Sequence, residues 1–370
     1  MPKISVITPV YNGETYIENA IESLLAQSCR DWDLIVVNDG STDATAQILE
    51  KYTADGRIKV VHQENSGEAS ARNVGLDCST GEYIAFLDAD DTYFPNALED
   101  LSSFLDAHPH YDVVYSDGLI CDSDDNLVMH LNEVRPGFFS GRILEQLVVS
   151  SSVITVPICT MVRRARVVSC AARFDRNLII GPDWDFWIQL AVHAEFGFLD
   201  KVTCKYRVHN MNITKRVDLK KRRQDQFFGR SKVMNSTWFD NLSVQTRQDF
   251  FLELLTNILS GNAEMQAAIL KSRQVSALPA EVRSYLWRMA GIDVLQNDAD
   301  VSHAVFYFLE SIKNNPNDRK TRFVLWASRL GRPFVLGFIK IWRWTLQLGH
   351  RPSSEAHSKS LQLQKIFGLK

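Results

Sequence analysis

The chain has 370 residues, 45% hydrophobic and 23% charged, a balance that supports globular cores and excludes wholesale disorder. Its length suits two domains. The formal net charge of −3 conceals an asymmetry: residues 1–214 hold 16 Lys and Arg against 31 Asp and Glu, and residues 215–370 hold the remaining 25 and 13. So acidic a front half is excluded as an unaided binder of nucleic acid or free phosphate.

A diphosphate ligand in the front half therefore calls for a divalent cation between the two. The basic rear half suits a solvated surface, or else an anionic membrane or an acidic partner. The cysteines are Cys29, Cys78, Cys121, Cys159, Cys170 and Cys204. None forms a close metal-type pair. The first residues enter a strand-like run with no secretory pattern, so a reduced, cytoplasmic setting is expected. No uninterrupted apolar run approaches the ~20 residues of a membrane-spanning helix.

In chain order, residues 4–8 read as a buried strand stopped by Pro9. Tyr16, Ile17, Ala20, Ile21, Leu24 and Leu25 then fall at helical spacing, with Asn12 as cap. Residues 34–37 form a second strand, followed by turn-rich residues 38–43. A third strand covers 58–61, a helix 69–76, and a fourth strand 83–87 that runs into Asp88-Ala89-Asp90-Asp91. Pro95 opens a helix through Leu105, where its missing N–H costs little. Residues 113–115 are a further strand. This alternation is that of βαβ units: an α/β fold whose doubly wound, mainly parallel sheet is flanked by helices. Residues 122–141 read as a hairpin or loop, 153–162 as a strand and 184–194 as a helix. Beyond Thr214 the pattern is helical throughout, with breaks near Gly261, Pro279, Asn297 and Pro316. Residues 290–326 resemble one degenerate helix-pair repeat, and one copy does not make a solenoid.

In parallel α/β sheets ligands sit beyond the carboxyl ends of the strands. Here those ends carry Thr8-Pro9-Val10-Tyr11-Asn12, Asn38-Asp39-Gly40-Ser41 and Asp88-Ala89-Asp90-Asp91. Each alone is an ordinary turn; together they converge on one rim. The clustered carboxylates after the fourth strand repel one another unless a cation or hydrogen bonds compensate. Hard oxygen donors suit Mg²⁺ or Mn²⁺, which also bridge diphosphate oxygens and polarise them. The plainer alternative is a solvated acidic turn.

Asp39 can accept from a base or ribose, or simply cap its turn. Around Gly67, Ala71, Arg72 and Asn73, small residues admit a ligand and Arg72 can neutralise phosphate; helix packing explains the same residues. Asp183 and Asp185 stand at the start of an aromatic-rich helix, where desolvation improves a carboxylate as a general base. Position favours Asp183 for catalysis and a capping or solvent role for Asp185. Further on, Arg207 suits phosphate, and His209 a metal or a structural role.

These segments, together with Ser70-Ala71-Arg72-Asn73, Asp183-Trp184-Asp185 and Tyr206-Arg207-Val208-His209, resemble the family 2 glycosyltransferases of GT-A fold over residues 1–214. The resemblance implies a nucleotide-diphospho-sugar donor, a carbohydrate or lipid-linked acceptor, and inversion at the anomeric carbon. It implies that Thr8, Pro9, Tyr11, Asn12, Asp39, Gly67, Arg72, Asp88 and Ala89 hold the donor. Asp90 and His209 would bind Mn²⁺ or Mg²⁺, and Asp183 would be the catalytic base. The family usually has Glu-Asp where this chain has Pro182-Asp183, which alters the acceptor pocket.

Residues 215–370 lie outside the pattern and read as a helical C-terminal region. An interfacial amphipathic helix over 333–348 would bring an anionic membrane surface among the partners, at its inner face. Nucleic acid is not among them. Three other readings stand behind this one. Asp88-Ala89-Asp90-Asp91-Thr92 also resembles the nucleophile motif of haloacid dehalogenase-type phosphohydrolases, although that motif follows the first strand rather than the fourth. A dinucleotide-binding oxidoreductase lacks its Gly-rich fingerprint after the first strand. A non-catalytic sugar-nucleotide binder does not account for Asp90, Asp183 and His209 together.

Overall fold

The structure, a computed structural model, describes residues 1–297, 301–328 and 330–337. The chain divides into two compact units, Met1–Asp218 and Leu219–Lys370.

The first unit is built on a nine-stranded sheet. Its strands are β1 (Ile4–Val10), β2 (Trp32–Asp39), β3 (Ile58–Gln63), β4 (Tyr83–Phe86), β5 (Thr92–Tyr93), β6 (Val113–Cys121), β7 (Leu127–His130), β8 (Thr160–Arg163) and β9 (Phe196–Arg207). The spatial order is β3-β2-β1-β4-β8-β6-β9-β5, with β7 paired to β6. The pairings make β1, β2, β3, β4, β6 and β9 run one way, and β5, β7 and β8 the other. Every residue of β1 is buried, as expected of a parallel strand covered on both faces.

Helices α1 (Ile17–Leu25), α2 (Thr45–Glu50), α3 (Glu68–Cys78), α4 (Ala97–Ala107), α5 (Leu144–Val149), α6 (Arg164–Ser169) and α7 (Pro182–Ala191) flank the sheet. The apolar spacing read in α1 holds: Ile17, Ala20, Ile21 and Leu24 are all fully buried. Each large aliphatic among them contributes ~1.5–3 kcal/mol of burial. Helix α3 lies close on β1. A Cβ at Gly75 would stand 2.3 Å from Ile7 Cγ2, so that approach needs glycine.

Some expectations give way. Asn12 does not cap α1; Tyr16 stands at that position, with no side-chain cap. Pro95 lies outside α4, which begins at Ala97 after Asn96. Of residues 153–162 only the end is strand. Short 3₁₀ turns occupy Ser151–Val153 and Pro157–Cys159, because Pro157 has no N–H for a ladder. The hairpin of β6 and β7 is present; Asp122 Oδ1 accepts from the amides of Asp124 and Asn126, both at 2.9 Å, to close its turn.

The second unit is helical in its described residues: Leu219–Met234, Val244–Glu253, Ala263–Leu270, Arg273–Ser276, Ala280–Asn297, Val301–Asn314 and Arg319–Ser328. Gly261, at φ 78°, interrupts this run. The break expected at Asn297 borders residues 298–300, outside the described residues. Of the helix expected over 333–348, residues 333–337 are helical and 338–348 lie outside the described residues. No helix among the described residues is long and apolar enough to cross a membrane.

Candidate active site

Strands β1, β2, β4 and β9 share a direction, so their carboxyl ends open on one edge of the sheet. That edge gathers Thr8 to Asn12, Asp39, Asp88 to Asp91, and Arg207 to His209, as the sequence pattern requires. The side chains of Thr8 and Pro9 are buried, whereas Tyr11 and Asn12 are exposed. Among these four, only Tyr11 and Asn12 have side chains open to solvent. Asn12 sits at φ 51°, a left-handed conformation that Asn tolerates. There its N–H donates to Ser41 Oγ at 2.9 Å and its Oδ1 accepts from the Thr42 N–H at 2.8 Å. It pins the β1 loop to the β2 loop.

Asp39 is 2% exposed. It accepts from Gln63 Nε2 at 2.6 Å, Ser66 N at 2.8 Å and Gly67 N at 2.8 Å. These bonds draw the loop before α3 against the end of β2. A carboxylate has about four acceptor positions, and three of them are filled among the described residues. Gly67, at φ 89°, makes the turn into α3 that brings its amide to Asp39.

One turn into α3 stands Arg72, with a side chain only 1% exposed. Its guanidinium meets three carboxylates: Glu68 at 2.5 Å, Asp88 at 2.7 Å and Asp183 at 2.8 Å. Thus α3, the end of β4 and the start of α7 are joined by one cation. The neighbouring Asn73 fastens the floor below. Its amide group donates to the Phe174 carbonyl at 2.8 Å and accepts from the Phe174 N–H at 2.9 Å. The Phe174 ring lies 5.4 Å from the guanidinium of Arg72 and stacks on Phe186 with centroids 4.3 Å apart. Arg72 is therefore engaged by protein carboxylates rather than standing open to phosphate.

Electrostatic crowding follows. Loss of water raises Glu68 first, and Asp88, Asp183 and Asp90 add to it against the pull of Arg72; it reaches about 7. Loss of water raises Asp183 too, with Arg72 opposing and Asp88 adding. Asp91, fully buried, is pushed well up by burial, then by Asp90 and Asp88. Its Oδ1 accepts from the Arg207 N–H at 2.8 Å, while Oδ2 has no partner among the described residues.

Asp90 Oδ2 lies 2.9 Å from His209 Nε2 and accepts from Asn212 Nδ2 at 3.1 Å. The Met211 N–H faces His209 Nδ1 at 3.2 Å, which makes Nδ1 the acceptor and Nε2–H the donor to Asp90. The His209 ring packs on Tyr16 at 4.9 Å, and the Arg207 guanidinium lies 5.1 Å from the Tyr16 ring. Arg207 Nε also donates to the Asp90 carbonyl at 3.1 Å.

Among the described residues no three His, Cys, Asp or Glu side chains are arranged to hold a metal ion. The donor chemistry nevertheless fits a hard dication. Among the described residues, Glu68, Asp88, Asp90, Asp91 and Asp183 face Arg72 and Arg207 as permanent cations, and the carboxyls of Glu68, Asp91 and Asp183 are raised by burial first and by their acidic neighbours after it. Mg²⁺-type ions take one or two protein ligands and complete their shell with phosphate oxygens and water.

Asp185 departs from expectation. It is 3% exposed and accepts from Gln189 Nε2 at 2.8 Å, and the residue capping α7 is Gly181. Asp185 is neither at the solvent nor a cap. Asp183, two residues earlier and 31% exposed, is the more open carboxylate of the pair. Sequence reading missed Glu68, Tyr16 and Asn212. Glu68 was legible as the i−4 partner of Arg72 on a helix; nothing local marked the other two.

The sheet order, the flanking helices and the acidic rim define a GT-A domain. Residues 5–167 match the sequence model described as glycosyl transferase family 2. The first unit belongs to that family. An uncharacterized glycosyltransferase of Rickettsia bellii is 33% identical over 223 residues, 57% of this chain and 30% of that protein. A Bacillus subtilis protein named as the teichuronic acid biosynthesis glycosyltransferase TuaG is 48% identical over 106 residues, 28% of this chain and 42% of that one. The chain spans about a third of the length of the Rickettsia bellii and Rickettsia felis relatives. Among solved structures, S. aureus TarS 1–349 superposes with a TM-score of 0.57 at 22% identity, over 85% of this chain and 92% of that one. That likeness is one of fold.

Proposed function

We propose that this protein is an inverting glycosyltransferase that moves a sugar from a nucleotide-diphospho-sugar to an acceptor hydroxyl, in polysaccharide or glycolipid assembly. The observation carrying this reading is the meeting of Asp39, Asp88, Asp90, Asp183 and His209 on one sheet edge. In this scheme the free acceptor position of Asp39 takes a donor from the nucleoside, and Tyr11 and Asn12 border it. Asp183 removes the proton from the acceptor hydroxyl as that oxygen attacks the anomeric carbon from the face opposite the leaving group. Arg72 holds Asp183 and Asp88 in one frame, so base and donor carboxylate keep a set spacing. The anomeric centre passes through an oxocarbenium-like state, as in other glycosyl transfers. Mn²⁺ or Mg²⁺ held by Asp90 and His209 would supply positive charge to the departing diphosphate.

The test is a panel of nucleotide sugars with and without Mn²⁺, scored by release of nucleoside diphosphate. Uridine diphosphate sugars come first, because S. aureus TarS has been solved with UDP-GlcNAc. Metal-dependent release that rises with acceptor supports the reading. Binding without turnover on every donor and acceptor would leave a sugar-nucleotide binder. Release of inorganic phosphate from simple phosphomonoesters would favour a phosphohydrolase.

A further inference from the structure

The second unit holds an open pocket of about 440 Å³ lined by Leu270, Lys271, Ser276, Arg283, Trp287 and Asn314. It forms where the ends of helices Ala263–Leu270, Arg273–Ser276 and Val301–Asn314 meet the flank of Ala280–Asn297. Its volume is that of a small-molecule site.

The charge in this pocket has one sign. Arg283 donates from Nε to Asn314 Oδ1 at 2.7 Å, and from Nη1 to the carbonyls of Ser276 at 3.1 Å and Leu278 at 2.7 Å. All three acceptors are neutral. They hold the guanidinium in place without cancelling its charge, and Nη2 has no acceptor among the described residues. The ammonium of Lys271 lies 5.6 Å from the centroid of the Phe306 ring and has no carboxylate partner among the described residues. Carboxylates on the adjoining helix and loop are committed elsewhere, Glu310 to Lys313 and Asp318 to Arg288. Leu270 and Trp287, 3% and 4% exposed, underlie these cations as a narrow apolar floor, and Ser276 and Asn314 add polar groups.

Two uncompensated cations select an anion, and a preset guanidinium suits the flat fork of a phosphate or carboxylate. The volume exceeds that of a bare anion, and the polar groups of Ser276 and Asn314 beside the narrow apolar floor suit the hydroxyls of a ring attached to that anion. We propose that this pocket binds an acidic saccharide, a sugar bearing a phosphate or a carboxylate. The site is separate from the carboxylate rim of the first unit, whose negative charge repels the same ligands.

Calorimetric titration of the full chain with glucose 6-phosphate, glucuronic acid, glucose and inorganic phosphate tests this. At least one acidic sugar should bind, more weakly as salt rises, and about tenfold or more tighter than glucose. Lys271→Glu should weaken that binding by about tenfold or more, and Lys271→Arg should restore it. Lys271 is exposed, so neither change threatens the fold, and circular dichroism confirms this. The two acidic sugars tell phosphate from carboxylate. Unchanged affinity in Lys271→Glu, equal binding of glucose, or no binding of either acidic sugar overturns the proposal. Inorganic phosphate binding as tightly as glucose 6-phosphate shows a bare anion site and overturns the saccharide assignment. The readout is binding, not transfer, so failure here leaves the glycosyltransferase reading untouched.

Discussion

The guanidinium of Arg72 reaches the carboxylate of Asp183 at 2.8 Å across 111 residues of sequence, and the same group binds Asp88 at 2.7 Å. A buried cation thus stands between the carboxylate assigned to the base and the one assigned to the donor. Its first consequence is for stability. Arg72→Met leaves three facing carboxylates without their partner, and breaking a buried pair by removing one member costs ~3–5 kcal/mol. Arg72→Lys should recover only part of this, because an ammonium cannot reproduce the planar fork. Urea unfolding curves measure both; a loss below ~1 kcal/mol for Arg72→Met contradicts the clamp.

Glu68 gives a pH signature. Its folded value stands at about 7 against an ordinary 4.5. Between those values the unfolded chain has lost this proton while the folded chain keeps it, so the folded state binds more protons. Stability therefore falls as pH rises through that window. The elevated carboxyls of Asp183 and Asp91 act in the same direction. Glu68→Gln should flatten the fall between about pH 4.5 and 7, gaining on wild type as pH rises. Melting curves of both proteins across the window, without divalent metal, check the difference. An identical slope in the two would place Glu68 outside the crowded set.

Much of the rim was legible from residue order alone. A strand that is apolar throughout and ends in polar turn residues points its end at a site, and β1, β2 and β4 all do so. The aromatic helix after Gly181 was legible too. What hid was long-range pairing. Nothing near Arg72 shows that Asp183 lies against it, and the Asn73–Phe174 bonds span 101 residues. Asp185 carries the same signals as Asp183, and only the fold turns one into the protein and the other toward the site. The extended run at 153–162 misled because β-branched residues fit strands and extended loops alike, and Pro157 decided between them.

Asp183 and Asp185 should separate cleanly in kinetics. Asp183→Asn removes the acceptor of the proton and should cost ~10²–10⁴ in transfer rate. Donor affinity should stay within a few-fold, since the proposed nucleotide contacts are Asp39 and Asp88 rather than Asp183. Asp185→Asn alters a buried bond to Gln189 and should act on stability before rate. Transfer near the wild-type rate in Asp183→Asn removes it as the base.

The metal reading rests on Asp90 and His209. Asp90→Asn keeps the shape but removes the charge that draws in a dication, so donor binding and turnover should both fall steeply. Chelation of the wild type should do the same, and added Mn²⁺ or Mg²⁺ should reverse it. His209→Ala should shift the metal concentration needed for half-maximal activity upward. Full activity in excess EDTA sinks this reading, and the diphosphate would then have to rely on protein donors alone.

The rear half bears on where the acceptor is met. Phe323 and Trp326 on helix Arg319–Ser328, Leu330 in the turn after it and Phe334 in the helical turn beyond Gly331 are exposed by 37, 53, 53 and 49%. Arg319, Lys320, Arg322 and Arg332 stand among them. The sequence then carries Phe338, Ile339, Ile341, Trp342, Trp344, Leu346 and Leu348, with only Lys340 and Arg343 charged between 338 and 348; those residues lie outside the described ones. Trp beside Lys and Arg on a largely apolar segment suits the lipid headgroup region, where long basic stems reach the phosphates. Residues 215–370 have 25 basic against 13 acidic side chains, and each base near an anionic surface adds ~1 kcal/mol of attraction. A lipid-linked acceptor would then meet the enzyme at that surface. Sedimentation with anionic liposomes at low salt should carry down the intact chain, and a chain ending at Arg332 should stay behind in larger part. High salt should release the bound fraction, since the attraction is screened within about 10 Å at 0.1 M. If the intact, folded protein remains in the supernatant, the surface is not a lipid contact, and a soluble glycan becomes the acceptor to test.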